Sequence, residues 1–504
     1  MVQAAGRGRP RKEEVRVDEL RILINRVIIR NFKSIRSLDL ELLPGVNVLV
    51  GQNGSGKTNI LEAIYFLYKS LIEAPSRVPY MSHAPEYWSG KDLIFNRDPS
   101  RQVELGFGLE EYARSTGTNC KRWMKSTLEY RALYGYDPVR DTIVPTEHSY
   151  ILNNDTIIKI NNNNIIIEVR GELARRLARA KNIFAQLERR GYKKMRRGDD
   201  ITLVLTKEME LAERPVLPLR HSIIVTRALN KARRIAIVEI VALRGGSGEA
   251  IKALIPVWAY EKCLGNARGY RVYPSGDRES VSVFHGRATF PTIVHMGLLI
   301  PEIISYFVLL KHPDIGAVSE PRRFEGKTRI DPRAKNMADV FLTLRGRKGG
   351  RLEILEDLIS RGFPGYSIRV ESSHGRVFLV AEENGLDLPP PNMPDGLIKL
   401  VAIGLALESS PSLMLIDEIE NSMHAVLLEV VFDALNSRDI PVLVATHSPL
   451  VIDLAGPERI ILVRRTGDGT VAEKIPEPRR LSEVLESEGI VLSDYVIQSL
   501  TRGA

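Results

Sequence analysis

The chain has 504 residues, of which 44% are hydrophobic and 26% charged, as in ordinary soluble globular proteins. The basic N-terminus lacks the apolar core of a signal peptide, and the longest apolar stretch, residues 296–310, is too short for a membrane span. Two cysteines without metal-ligand spacing argue against a disulfide framework, so we expect a cytoplasmic protein with no membrane partner. The net charge of +9 fits a polyanionic partner, including the nucleoid, without requiring one.

The first part of the chain passes from a solvated tail into an α/β pattern. Residues 1–17 are rich in Gly, Arg, Pro, Lys and Glu and cannot bury enough apolar surface to fold alone. The pattern then predicts strands at 26–30, 45–50 and 102–108, and a helix after Gly51. Residues 18–110 are therefore interpreted as the first lobe of an α/β domain.

Residues 111–299 are interpreted as an α+β insertion. Isoleucine-rich runs at 157–160 and 165–169 flank four asparagines, which favours a hairpin because asparagine tolerates positive φ. The spacing of apolar residues predicts a helix over 172–197 with a strongly basic face. Two further strands are predicted at 223–226 and 235–243.

The α/β rhythm returns in residues 300–504, which are interpreted as the second lobe. The pattern predicts strands near Ile368 and Val377 and helices at 336–344, 396–407 and 423–435. Short apolar runs predict buried strands of a parallel sheet at 413–416, 442–445 and 460–463. The predicted fold class is α/β, with one domain split by the insertion.

The strongest motif is Gly51-Gln52-Asn53-Gly54-Ser55-Gly56-Lys57-Thr58, between a predicted strand and a predicted helix. This spacing is typical of a P-loop, in which backbone N–H groups and a helix N-terminus surround phosphate oxygens. Lys57 is expected to reach the β- and γ-phosphates of ATP, and Thr58 to bind Mg²⁺. The nucleotide-binding candidates are Gly51, Asn53, Gly54, Ser55, Gly56, Lys57 and Thr58.

Polar residues also follow two of the later apolar runs. Asp417 and Glu418 would lie at the carboxyl edge of the sheet, where ligands bind in open α/β folds. Asp417 is expected to hold Mg²⁺ with Thr58, and Glu418 to polarise the attacking water. His447 follows the next strand and can hydrogen-bond the γ-phosphate and the water. Glu418 and His447 are therefore the predicted catalytic residues of ATP hydrolysis.

The order of these motifs resembles the AAA-domain ATPases of the RecF, SMC and OLD group. The resemblance rests on Asn31-Phe32-Lys33-Ser34 before the P-loop, on Asp417-Glu418-Ile419-Glu420-Asn421, and on Thr446-His447-Ser448-Pro449. It covers residues 21–70 and 330–500. It implies a P-loop NTPase head of the ABC type, in which two heads enclose two ATP molecules, and hence a homodimer in the ATP state.

The resemblance also implies a signature turn that faces the γ-phosphate held by the second head. The matching residues are Met393, Pro394, Asp395 and Gly396. The group usually has a serine where Pro394 stands, so one hydroxyl donor is missing, and slower turnover or weaker dimerisation is implied. Alternatively, the segment is an ordinary helix N-terminus capped by Asp395.

Two further features of the group have only partial counterparts. Residues 420–424 match the segment that crosses the dimer interface in the group. The glutamine that senses the γ-phosphate has two candidates, Gln102 and Gln186, and the sequence assigns neither.

Two basic segments are candidates for contact with double-stranded DNA. Arg7, Arg9, Arg11 and Lys12 belong to a Gly-Arg-Pro context that resembles an AT-hook, which inserts arginines into a narrow minor groove. In the predicted basic helix the candidates are Arg175, Arg176, Arg179, Arg189 and Arg190. A solubilising tail and a solvated helix face are the alternatives.

These observations favour an ATPase that acts on DNA as a clamp or motor, in repair, chromosome organisation or defence. One alternative is the ATPase subunit of a defence or toxin system that works through a separate effector protein. Another is a nucleotide switch that turns ATP over slowly, which Pro394 favours and Glu418 with His447 disfavours. An ABC transporter subunit is disfavoured by the long insertion.

Overall fold

In a computed structural model of the chain, the described residues are 19–72, 90–114, 124–139, 141–161, 164–179 and 307–502, together with shorter stretches between them. These stretches are 185, 187–189, 193–196, 203–208, 222–230, 235–243, 250–258, 270–273 and 280–283. The candidates Arg7, Arg9, Arg11, Lys12, Arg190 and Gln186 and both cysteines lie outside the described residues. No helix in the described ranges has the length and hydropathy needed to cross a bilayer.

The strands are β1 Glu19–Phe32, β2 Ile35–Glu41, β3 Gly45–Val50, β4 Val103–Arg114, β5 Met124–Asp137, β6 Thr142–Leu152, β7 Thr156–Asn161, β8 Asn164–Val169, β9 Lys193–Arg196, β10 Leu203–Glu208, β11 Ser222–Asn230, β12 Ile235–Leu243, β13 Ala250–Trp258, β14 Tyr270–Tyr273, β15 Ser280–Val283, β16 Phe307–Leu310, β17 Arg322–Arg323, β18 Tyr366–Ser373, β19 Arg376–Glu383, β20 Leu386–Leu388, β21 Leu413–Asp417, β22 Pro441–Thr446, β23 Ile460–Thr466 and β24 Gly469–Lys474. The helices are α1 Lys57–Ile72, α2 Gly171–Ala178, α3 Ile315–Ser319, α4 Met337–Arg347, α5 Glu353–Gly362, α6 Asp395–Glu408, α7 Ala425–Asn436, α8 Pro449–Ala455, α9 Pro478–Glu488 and α10 Leu492–Arg502.

A six-stranded sheet joins the two ends of the chain. Its order is β16-β21-β22-β3-β23-β24, and every neighbouring pair is parallel except the pair formed by β23 and β24. The parallel strands are short apolar runs that are almost entirely buried, as the sequence predicts for a sheet covered on both faces. Because β3 lies between β22 and β23, the predicted split domain is confirmed.

A nine-stranded antiparallel sheet packs against the other face of α1, in the order β2-β1-β4-β5-β6-β7-β8-β10-β9. The predicted hairpin is confirmed as β7 and β8, which pair around the asparagines. Strand β4 crosses residue 110, so this sheet passes without interruption from the predicted first lobe into the predicted insertion. The division of the chain into domains stays a prediction.

The basic helix predicted over residues 172–197 is wrong in its extent. Helix α2 ends at Ala178, and β9 pairs with β10 in place of the last predicted helical turn. Leu173 and Leu177 of α2 are buried, and further along the predicted range residues 185 and 187–189 are also helical, with Leu187 buried. At residues 193–196, pairing with the strand β10 outweighs the weak intrinsic helix preference of a polar run.

A third layer consists of the β17-β19-β18 sheet, with β20 on β19, packed by α4 and α5, and these two helices pack in turn on α6. Every residue of α6 after Asp395 is buried, so this helix is a central element of the lobe rather than a surface helix. The turn that precedes α6 is the predicted signature turn, and its position is therefore fixed by the core.

A candidate nucleotide-binding site at the edge of the parallel sheet

The predicted P-loop connects the carboxyl end of β3 to the first turn of α1. A Cβ on Gly51 would lie 2.1 Å from the carbonyl oxygen of Val463. Gly56 has a φ of +108°, and a Cβ there would lie 2.2 Å from Thr470 Oγ1. Only glycine satisfies both the backbone conformation and the close approach, so the strand β23 and the start of β24 shape this loop.

Lys57 and Ser55 point into the loop rather than into solvent. Lys57 is 8% exposed, and its Nζ donates to the carbonyl oxygens of Gly51 at 2.7 Å and Gln52 at 3.2 Å. Burial lowers the pKa of Lys57, and the charges of the carboxylates at the next strand oppose this shift. Ser55 Oγ is buried and has no hydrogen-bond partner among the described residues. A phosphate group would satisfy both donors.

Asp417 ends β21 and faces the first turn of α1. Thr58 Oγ1 donates to Asp417 Oδ1 at 3.2 Å, so the two predicted metal ligands lie side by side. Burial raises the pKa of the Asp417 carboxyl, against the hydrogen bond from Thr58 and the charge of Lys311. Glu418 follows with a φ of +51°, a left-handed conformation, directly after the strand ends at Asp417. The Asn421 side chain donates to Glu418 Oε2 at 2.6 Å.

Glu420 holds the loop that carries His447. Its carboxylate accepts hydrogen bonds from Thr446 Oγ1 at 2.8 Å and from the His447 N–H at 3.0 Å. The same carboxylate lies 3.2 Å from His447 Nδ1, and the imidazole is otherwise exposed. The Glu420 side chain thus binds within its own subunit, and a place for residues 420–424 at a dimer interface stays a prediction. Three strands thus bring the predicted catalytic and metal-binding residues to one edge of the sheet.

The predicted signature turn is tied to the same edge. Pro394 occupies the N-cap position of α6 and makes no side-chain cap, so the alternative in which Asp395 caps the helix is wrong. A Cβ on Gly396 would lie 2.6 Å from the carbonyl oxygen of Ser422, which requires glycine at this contact. Lys399, one turn later, donates to the main-chain carbonyls of Glu418 and Asn421. Met393 is buried behind the turn.

Sequence reasoning missed a cluster of three charged residues beside Asp417. Glu62 lies one turn after Thr58 on α1 and binds Lys33 and Lys311, each at 2.5 Å. Lys311 follows β16, and because Leu310 pairs with Ile416, it comes beside Asp417 at the same edge. Burial lowers the pKa of Lys33 to about 8, against the charge of Glu62. The four-residue step from Thr58 to Glu62 was the available signal, since both share one helix face.

Of the two glutamine candidates, the structure describes only Gln102, which lies in the antiparallel sheet. Gln102 Nε2 reaches Thr146 Oγ1 at 3.4 Å in the antiparallel sheet, and Gln186 lies outside the described residues. The residue that follows the edge strand β16, and that lies beside Asp417, is a lysine, Lys311.

The residues of this edge fit a magnesium nucleotide. A hydroxyl and a carboxylate, from Thr58 and Asp417, are oxygen ligands of the kind that Mg²⁺ prefers. The described residues contain no group of three or more His, Cys, Asp and Glu side chains that could hold a metal ion without help. Phosphate oxygens and water would therefore complete the coordination, as is usual for Mg²⁺ at phosphates.

The predicted DNA contacts are only partly within the described residues. Arg175 and Arg176 pair with Glu172 on α2, at 3.7 Å and 2.8 Å. Arg179 and Arg189 are exposed. The short helix therefore presents fewer uncompensated cations than the sequence predicts.

Two family models match this chain, one in each of the two parts of the sequence that contribute strands to the parallel sheet. A family model described as "AAA ATPase domain" matches residues 23–173, and one described as "AAA domain, putative AbiEii toxin, Type IV TA system" matches residues 293–453. The DNA replication and repair protein RecF of Salmonella newport (strain SL254) is 57% identical over 91 residues. RecF of Actinobacillus pleuropneumoniae serotype 5b (strain L20) is 59% identical over 44 residues.

Two parts of the chain thus match AAA-domain family models, and part of the chain is similar to RecF. These matches imply nucleotide binding. The matched segments are 17% and 9% of this chain and span 23% and 12% of the Salmonella and Actinobacillus RecF proteins.

Solved structures similar to this chain include SMC head domains. The Smc head bound to the C-winged helix domain of ScpA is 16% identical, with a TM-score of 0.39, and the alignment covers 91% of this chain and 99% of that one. The SMC head domain from Thermotoga maritima is 12% identical, with a TM-score of 0.37, and the alignment covers 90% and 99%.

Proposed function

We propose that this chain is a magnesium-dependent ATPase that acts on duplex DNA as a clamp or motor, in repair, chromosome organisation or defence. The observation that carries the proposal is the meeting of Lys57 and Thr58, Asp417 and Glu418, and the His447 loop at one sheet edge. Phosphoryl transfer depends on cations and donors around the phosphate and on a group that orients water. This edge supplies both.

Each residue has a defined part in the proposed reaction, in which water attacks the γ-phosphorus and the bond to the bridging oxygen breaks. Lys57 exchanges its two carbonyl partners for phosphate oxygens. The Glu418 carboxylate accepts a hydrogen bond from the attacking water and orients it. Glu420 fixes the Nδ1 side of the His447 ring, which leaves Nε2 for the γ-phosphate or the water. Mg²⁺ held by Thr58 and Asp417 would neutralise charge on the phosphate oxygens.

A second copy of the chain is part of the proposal. The first turn of α6 carries backbone N–H groups without helical partners, and this helix end favours a phosphate held by another subunit. Pro394 has neither a hydroxyl nor an N–H, so the contact is weaker than one made through serine. We therefore propose a homodimer that forms with ATP and turns it over slowly.

The proposed action on DNA is supported by the names of the relatives and by the charge of the chain. The RecF relatives are named as DNA replication and repair proteins. The net charge of +9 and the exposed Arg179 and Arg189 favour contact with phosphates, and we include Arg7, Arg9, Arg11, Lys12 and Arg190 in this contact.

A second candidate function is the ATPase subunit of a toxin or defence system that acts through a separate effector protein. It is favoured by the description of the model that matches residues 293–453, which names the AbiEii toxin. A slow nucleotide switch is favoured by Pro394 alone.

The decisive experiment is steady-state ATP hydrolysis with and without AT-rich duplex DNA. Glu418→Gln serves as the blank, and Glu429→Gln, an exposed glutamate on α7, is the matched control. We expect turnover that rises with DNA, disappears in Glu418→Gln and persists in Glu429→Gln. Light scattering of Glu418→Gln with ATP should report a dimer, because a non-hydrolysing site holds the nucleotide.

The outcomes separate the two parts of the proposal. Turnover that ignores DNA, together with no salt-sensitive DNA binding, would remove the DNA part and leave the ATPase. Turnover that survives in Glu418→Gln would remove the assigned catalytic role. Nucleotide binding without any turnover would favour the switch.

A further inference from the structure

A cavity of about 360 Å³ opens in the lobe that carries the signature turn, apart from the nucleotide site. It lies between the segment from α3 to α4 and the start of β19, and its apolar lining residues include Val318, Met337 and Leu379. Its charged lining residues include Arg322, Arg323, Lys327, Lys335, Arg376 and Asp339. This volume falls within the range of small-ligand pockets.

Three of the five cations in the lining have a carboxylate partner. Lys327 pairs with Glu325 at 2.6 Å, Arg322 with Glu320 at 3.8 Å, and Lys335 with Asp314 at 3.6 Å.

Asp339 has backbone partners instead. Its buried carboxylate accepts N–H donors from Glu325, Gly326 and Lys327. Among the described residues, Asp339 forms no ion pair with Arg323 or Arg376.

The two remaining cations are Arg323 and Arg376. Neither has a carboxylate within 4.0 Å among the described residues, and Glu325, which acts on Arg323 at longer range, is already paired with Lys327. The two arginines are direct cross-strand partners in the β17–β19 pair, and both are exposed to the cavity. Directly opposed side chains leave the same face of a sheet at close range, and like charges in that position repel. An anion between them would turn this repulsion into attraction.

We propose that this cavity binds a phosphate group through Arg323 and Arg376. Two neighbouring guanidinium groups present several N–H donors in planar forks, which match the oxygens of phosphate. The phosphate could belong to a free nucleotide or to the backbone of a nucleic-acid strand, and the recognition chemistry is the same for both.

The position of the cavity gives its ligand a route to the signature turn. Helix α3, whose Val318 lines the cavity, packs against the short turn at Pro390–Asn392 that precedes Met393. The inference does not depend on ATP hydrolysis at the P-loop, because no residue from that loop or from the Asp417 segment lines the cavity.

The test uses the full chain with Lys57→Ala, so that the P-loop does not contribute to phosphate binding. Adenosine monophosphate is titrated by calorimetry, and a labelled twelve-nucleotide single strand by fluorescence anisotropy, both at low salt. The variants are Arg323→Ala, Arg376→Ala and Arg323→Lys, with Arg351→Ala, an exposed arginine outside the cavity, as the matched control.

We expect each alanine variant to lose about tenfold or more in affinity for one of the probes, since a charge-assisted hydrogen bond contributes about that much. Arg323→Lys should recover only part of it, because lysine keeps the charge but not the fork. Arg351→Ala should bind as the parent does. Loss for adenosine monophosphate identifies a free nucleotide as the source, and loss for the strand alone identifies the nucleic-acid backbone.

Thermal unfolding in phosphate gives a second readout. Phosphate should raise the Tm of the chain that carries Lys57→Ala alone, and should not raise the Tm when Arg376→Ala is added. Without phosphate, the chain with Arg376→Ala should be at least as stable, because a repulsive pair of arginines is removed. Equal binding of both probes by the parent and both alanine variants overturns the proposal. Binding of an acidic peptide in place of either probe also overturns it and assigns the cavity to a protein carboxylate.

Discussion

The buried ammonium of Lys399 donates a hydrogen bond of 2.6 Å to the main-chain carbonyl of Glu418. Lys399 is 3% exposed and lies one turn after the Pro394 turn, and Glu418 is the proposed water-orienting residue. A second bond, of 3.0 Å, goes to the carbonyl of Asn421, whose side chain holds the Glu418 carboxylate. The placement of Glu418 therefore depends on the helix that would face a second subunit.

Lys399→Met tests this dependence. We expect kcat for ATP hydrolysis to fall by about tenfold or more, because two carbonyls lose their donor and the Glu418 loop loosens. Nucleotide affinity should stay within about threefold, since Lys57 and Thr58 hold the phosphates. Stopped-flow binding of a fluorescent ATP analogue and steady-state turnover separate the two quantities. Lys327→Met is the control, and an unchanged kcat in Lys399→Met would argue against the link.

The lowered pKa of Lys399 predicts how the free energy of unfolding depends on pH. Burial lowers the pKa of Lys399 from 10.5 to about 8, against Glu420, Glu418 and Asp417. Between these two pKa values, the Lys399 amine is protonated in the unfolded chain but largely neutral in the folded one. The contribution of Lys399 to the free energy of unfolding therefore rises with pH across this window.

Urea unfolding of the parent and of Lys399→Met measures this contribution. From about pH 7.5 to about 9.5 the parent should gain on the order of 1–2 kcal/mol relative to Lys399→Met. Parallel stability curves for the two proteins across this range would show that burial does not shift this lysine.

Pro394→Ser should make the chain both more stable and faster. Pro394 is the N-cap of α6 and offers no side-chain acceptor, whereas a serine hydroxyl would bind an N–H of the first turn. We expect a gain of about 1 kcal/mol in the free energy of unfolding. The same hydroxyl restores the donor missing from the signature turn, so turnover should rise. Pro391→Ser, in the preceding turn, is the control, and a stabilised variant with unchanged turnover would mean that this donor does not limit the rate.

Glu62 is expected to be the stability determinant of the edge next to Asp417. It pairs with Lys33 and Lys311 at 2.5 Å each and is itself 12% exposed. Glu62→Ala removes the carboxylate shared by two partly buried cations and should cost about 2–4 kcal/mol in urea unfolding. Glu429→Ala on the exposed face of α7 should cost far less.

The lysine variants provide the internal comparison for Glu62. Lys33→Met or Lys311→Met alone keeps one pair and should cost less than Glu62→Ala. The double variant should depart from the sum of the two, because both lysines share one carboxylate. Strict additivity would mean that the two pairs are independent.

The parallel sheet was predictable because its strands are buried on both faces and leave continuous apolar runs in the sequence. The predictions for β3, β21 and β22 match the structure within a residue. The basic helix was overextended because local periodicity does not register an open sheet edge nearby, and β10 provides one for residues 193–196. Nothing in the sequence singled out Lys311, which is 249 positions from its partner Glu62.

The sequence by itself determined the glycine-rich turn after β3, the acidic pair and the histidine, because each depends on residue types at fixed short spacings after a buried strand. Only the tertiary structure decided how these segments are held together. Glu420 fixing the His447 loop, Lys399 binding Glu418, and Glu62 joining two distant lysines are contacts between separate elements. Their partners are chosen by the packing of the core, and packing leaves no periodic trace in the local sequence.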